Sequence, residues 1–174
     1  GLLLPVNGED GAAVCCGEQG WAWDSSALYA GISSVGMFGS GLWRVDASNG
    51  DMTTLLPTES GGNYNLASEP YLAPDGQLYF FFANLPATEE FVSRPPLQIV
   101  RSAPDGVTGR TVLLPETFQL MNEALWAPDA SFVIAAIAPT DAVYAGGALE
   151  LFYTHAEAGF LTLAPFGQQL KWGP

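Results

Sequence analysis

The chain has 174 residues, 18 acidic and 5 basic side chains and a formal charge of −13, with 48% hydrophobic and 12% aromatic residues. That length suits one domain with a buried core, and a charged fraction of 13% beside many aromatics excludes a disordered tail. The acidic balance argues against nucleic acid and anionic membrane surfaces, and no apolar run approaches the roughly 20 residues of a membrane span.

In chain order, Leu3-Leu4-Pro5 reads as the end of a strand. Cys15 and Cys16 follow; adjacent cysteines rarely meet disulfide geometry, so they read as thiols on a strand, with an intermolecular bridge or redox pair as the sharper alternative. His155 is the only histidine and there is no Cys-x-x-Cys, which excludes a zinc site of the usual kind. Strand-like pieces fall at residues 27–33, 42–45 and 52–56, with a turn at Asn49-Gly50-Asp51. The next group is 66–73, an Asp75-Gly76 turn, 77–82, a loop rich in Pro and Glu over 84–95, then 97–101, a turn at Pro104-Asp105-Gly106, and 111–114. The last is 132–137, 149–153, a turn near Ala158-Gly159, and 160–163. Pro or Gly interrupts every candidate helix.

Two anchors recur in step. Leu-Leu-Pro ends at Pro5, Pro57 and Pro115, with Leu163-Ala164-Pro165 as a variant, so the prolines stand about 50 to 58 residues apart. Tyr71-Leu-Ala-Pro-Asp75 matches Leu125-Trp-Ala-Pro-Asp129; Trp21-Ala-Trp-Asp24 fits the same frame and Lys171-Trp-Gly-Pro174 begins it again. The chain therefore reads as one segment, 1–174, with repeats at approximately 6–57, 58–115 and 116–165 and partial strands at 1–5 and 166–174. Four antiparallel strands per repeat predict an all-β chain of about three β-propeller-type blades.

Leu72-Ala-Pro-Asp75-Gly76 and Trp126-Ala-Pro-Asp129, each followed by a β-rich strand, resemble the TolB-like (WD-repeat-like) β-propeller repeat family. In that family this segment usually reads Trp-Ser-Pro-Asp-Gly; here Trp23-Asp24 lacks the Pro, and Ala130 stands where Gly is usual. The resemblance spans essentially the whole chain and implies fold rather than activity, because the Asp and Pro shape a turn. About three blades fall short of the four to eight of ordinary rings. The expectation is an incomplete ring or part of a larger propeller, with ring-sharing copies or another β architecture as alternatives.

Nucleophile elbows, phosphate loops and EF-hand spacing do not occur, and His155 reads as an ordinary surface or edge residue. One constellation stands out. Glu18, Glu69 and Glu123 hold the same offset before Asp24, Asp75 and Asp129, at the start of each innermost strand, with Gln169 near that place in the fourth repeat. Carboxylates repeated around a channel can hold a cation such as Ca²⁺ or attract an amine or basic peptide; the alternative is that each caps a backbone N–H or faces solvent. Phe80 and Phe82 alternate with Tyr79 and Phe81, so both faces of that strand are apolar and read as buried between blades. The Thr88–Pro96 stretch is the longest insertion, and its Phe91 and Arg94 are candidate partner-binding residues.

The functional expectation is a non-catalytic binding or scaffolding propeller segment with no cofactor other than the candidate Ca²⁺. Its partner would be a protein, peptide or glycan, including other copies or the remainder of the same propeller. Lys171 is the only lysine, and this with the Gly-, Ser-, Thr- and aromatic-rich composition leans towards an extracytoplasmic location. The alternatives are the propeller portion of a larger hydrolase of prolyl-oligopeptidase type, and a structural subunit of a β-rich extracellular assembly.

Overall fold

The computed structural model describes residues 18–32, 41–88, 94–155 and 160–173. Cys15, Cys16, Phe91 and the turn near Ala158-Gly159 lie outside them. Among the described residues all regular structure is strand. The first sheet runs β1 (Glu18–Trp21), β2 (Ala27–Ile32), β3 (Gly41–Asp46) and β4 (Met52–Leu56), each hydrogen-bonded to the next. The second is β5 (Glu59–Ser60), β6 (Asn63–Leu72), β7 (Leu78–Pro86), β8 (Gln98–Ser102) and β9 (Thr111–Val112). The third is β10 (Met121–Trp126), β11 (Phe132–Ile137), β12 (Gly147–Tyr153) and β13 (Phe160–Gly167). Every pairing is antiparallel and sequential, so each sheet is a meander of the propeller-blade type.

The turns explain why the repeats fold alike. Asp24, Asp75 and Asp129 each accept, on Oδ1, the backbone N–H two residues on, from Ser26 at 3.0 Å, Gln77 at 2.9 Å and Ser131 at 3.0 Å. The residue after each Asp lies in the left-handed region: Ser25 (φ 60°), Gly76 (φ 76°) and Ala130 (φ 56°). Gly suits that conformation at no steric cost; Ser25 and Ala130 adopt it under strain.

Several boundaries differ from the sequence expectation: β9 ends at Val112 rather than 114, and β7 runs on to Pro86, into the stretch expected as loop from 84, because β6 begins at Asn63 rather than 66 and pairs with it there. The second sheet gains a fifth strand: the turn at Gly61-Gly62 folds β5 back on β6. A strand of two residues is too short to show a period. β13 runs on through Pro165, which the sheet tolerates because β13 is an edge and proline's missing N–H breaks no ladder there.

The second sheet is the filling of the stack. Tyr79 and Phe81 face the third sheet, and Leu78, Phe80 and Phe82 face the first. Tyr79, Phe80 and Phe81 are fully buried, as the alternation predicts, and each such burial contributes roughly 1.5–3 kcal/mol. Against the first sheet the contact is close at the backbone: a Cβ on Gly20 would stand 1.8 Å from the Pro70 carbonyl oxygen, and one on Gly31 would stand 2.9 Å from that of Ala67. Against the third sheet the contact is aromatic. Trp126 packs on Tyr79 and Phe81 with ring centroids 5.8 and 5.7 Å away, and Phe118 bridges Phe81 at 5.1 Å to Phe152 at 4.8 Å.

Candidate functional site

The three sheets bring their first long strands, β1, β6 and β10, side by side, and residues 168–173 continue the series. The repeated glutamates sit along this row. Glu69 occupies an irregularity of β6, where the register with β7 shifts between Ser68 and Tyr71, and its φ of 50° is left-handed. This bulge takes the side chain across to the next sheet. Its Oε1 accepts the Ala124 N–H at 3.1 Å, and its carbonyl accepts the Trp126 indole N–H at 2.7 Å. One repeat later, Glu123 Oε2 accepts the Leu170 N–H at 2.9 Å, and the Trp172 indole donates to the Trp126 carbonyl at 2.9 Å. Gln169, in the same frame as Glu69, has a φ of 55°.

Glu69 and Glu123 thus each engage a backbone donor in the following repeat, a longer reach than a cap within its own strand. Ala124 and Leu170 follow Glu123 and Gln169 in the frame, and the corresponding residue after Glu69 is Pro70, which has no N–H to give. Glu18 begins β1, and its side chain lies outside the described residues. Among the described residues no group of three or more His, Cys, Asp or Glu side chains is placed to hold a metal ion.

Arg94 is engaged within the chain. Its Nη2 donates to the Val143 carbonyl at 2.6 Å and to Asn122 Oδ1 at 3.3 Å, and its guanidinium lies 5.0 Å from the centroid of the Tyr144 ring. Asn122 in turn donates to the Val143 and Gly146 carbonyls, so the pair ties the β11–β12 connection to the start of β10. Phe91 lies outside the described residues, and His155 is exposed.

The row of first strands also frames a cleft of about 460 Å³. Trp21 from β1, Tyr71 from β6, Trp126 from β10 and Trp172 form its aromatic walls, with Pro70 and Pro128 between them and Glu69 at the side. Trp21 is 54% exposed and Trp172 46%, whereas Trp126 is 8% exposed and doubles as core. Tyr71 donates its hydroxyl to the Pro128 carbonyl at 2.7 Å; burial, then the Asp129 carboxylate, push its pKa up, so the phenol stays neutral. Among the described residues lining the cleft none is basic. Indole faces, prolines and a carboxylate make a surface that can stack flat or cationic groups and accept hydrogen bonds. Sequence reasoning used these tryptophans only to set the repeat frame. The signal for the cleft was already there: an aromatic at the same frame position, Trp21, Trp126 and Trp172, with Leu72 in the remaining repeat.

No family model matches the chain, and no curated protein sequence matches it. Among solved structures the chain is similar to the crystal structure of TolB from Acinetobacter baumannii, with a TM-score of 0.49 and 15% identity over 88% of this chain and 35% of that one. The chain therefore spans about a third of that protein's length.

Proposed function

We propose that the chain is a non-catalytic binding segment of an extracytoplasmic β-propeller protein, and that the aromatic cleft receives a protein or peptide partner. The exposure of Trp21 and Trp172 beside the buried Trp126 carries this reading: large indoles held open, Trp21 on β1 and Trp172 by its bond to the Trp126 carbonyl, are characteristic of contact surfaces. The −13 charge favours a basic partner by long-range attraction. The test is a tryptophan-fluorescence titration with panels of basic, neutral and acidic peptides and neutral oligosaccharides. Saturable binding by a basic peptide that weakens at least tenfold in both Trp21→Ala and Trp172→Ala supports the reading. Binding indifferent to both substitutions, or to oligosaccharides alone, contradicts it.

A structural subunit is the second reading, favoured by the outward side of the third sheet. Leu161, Leu163, Phe166 and Tyr153 are exposed there and at its edge strand β13, an apolar concentration that suits contact with another sheet. Native mass measurement separates the two: a monodisperse species of 18.4 kDa removes the assembly reading.

A further inference from the structure

Away from the aromatic cleft, a second pocket of about 360 Å³ opens between the connection that follows β9 and the core-facing side of the third sheet. Phe118, Phe152 and Phe160 form its walls, and Glu116 and Glu150 are its charged groups. Phe118 and Phe152 are buried and meet edge to face at 4.8 Å; Phe160 stands at the rim, 55% exposed, with its centroid 5.8 Å from that of Phe152.

Two features of this pocket are out of keeping with packing alone. The register pairs Ala135 with Glu150 and Val133 with Phe152, so Glu150 lies on the same side of the sheet as core residues Val133 and Phe152. An apolar residue would serve packing better at that place. Glu116 Oε2 is shielded from solvent, and among the described residues no donor reaches it. A carboxylate oxygen so placed without a donor is costly and uncommon. Glu116 itself is half-buried and lines the pocket, so a donor that enters there can meet its carboxylate.

We propose that this pocket binds an organic ammonium: a primary amine whose charged head is held by Glu116, with Glu150 adding negative charge, and whose apolar body lies against the phenylalanine rings. The chemistry selects that class. An ammonium brings three donors and no acceptor, which suits a site whose charged groups are acceptors only. Phenylalanine faces attract a cation and also accept an apolar tail. A bare Ca²⁺ or Mg²⁺ ion would need six or more oxygen ligands, which these ring-lined walls do not offer. The volume lies within the range of small-molecule pockets. This site is independent of the aromatic cleft and does not rest on its function.

Saturation-transfer NMR and calorimetry with 2-phenylethylammonium test it on the full chain, with 2-phenylethanol as the uncharged counterpart. The expected result is saturable one-to-one binding of the ammonium, at least tenfold tighter than the alcohol, and weakened at least tenfold by Glu116→Gln. Glu150→Gln and the rim substitution Phe160→Ala should each weaken it severalfold, and they keep the test valid if Glu116→Gln fails to fold. Equal binding of alcohol and ammonium, no saturable binding, or unchanged affinity across the folded variants overturns the proposal.

Discussion

The two junctions between sheets are built on different physics. The first and second sheets meet at backbone distance, with Gly20 and Gly31 leaving no room for a Cβ against Pro70 and Ala67, and the Trp23 N–H donates to the Leu72 carbonyl at 3.0 Å. The second and third sheets meet through side chains: the Trp126 indole, the chain of phenylalanines, the Tyr71 hydroxyl and the Glu69 carboxylate. One repeat frame therefore supports two ways of joining blades. A glycine seam tolerates no added volume. An aromatic and carboxylate seam tolerates no deletion, because each group fills space or satisfies a donor.

That contrast can be broken from either side. The largest effect is expected of Trp126→Ala, which empties the second junction and removes the indole bond to Glu69; thermal or urea unfolding should show a loss of about 3–5 kcal/mol. Gly20→Ala comes next. Its new methyl would meet a backbone carbonyl that cannot rotate away, so about 1–3 kcal/mol or more should be lost, whereas Gly50→Ala, with nothing nearby, suffers only its backbone strain. Glu69→Ala leaves the Ala124 N–H without its acceptor and should cost about 1–3 kcal/mol, with Glu69→Gln milder because the amide oxygen can still accept.

The smallest effects sharpen the turn chemistry common to the sheets. Ser25→Gly removes left-handed strain at an exposed site and should stabilise by about 0.5–1 kcal/mol. Ala130→Gly relieves the same strain but gives up a fully buried methyl, so the two terms nearly cancel. The serine hydroxyl and N–H beside Asp24, Asp46 and Asp129 hold those carboxyls below the ordinary aspartate range, Asp46 at about 2. Their folded pKa values are depressed, so their stabilisation is full above about pH 4 and drains as pH falls towards 2. Acid titration of the Tm should show that fall, and Asp46→Asn should flatten part of it.

Much of the architecture was legible because repetition amplifies weak local signals. The Asp-Gly turn after Pro74 exposed the frame, and the alternation from Tyr79 to Phe82 predicted a strand buried on both sides. β5 escaped because two residues carry no pattern, and β13 overran its expectation because proline is harmless on an edge. The glutamates were legible as a repeated position but not as a reach. Nothing in spacing alone says that a left-handed φ at Glu69 carries its carboxylate into the next repeat. The pocket at Glu116 was illegible for a similar reason: Glu150 looks like any strand glutamate until the register sets it beside Phe152.

Glu69 and Glu123 join one repeat to the next through their carboxylates. Amide hydrogen exchange at Ala124, in the native chain and in Glu69→Ala, with and without Ca²⁺, tests it directly. The Ala124 amide should be protected in the native chain, exchange at least tenfold faster in the variant, and be unchanged by Ca²⁺. An amide that exchanges equally in both proteins, or one whose protection tracks Ca²⁺, would contradict it.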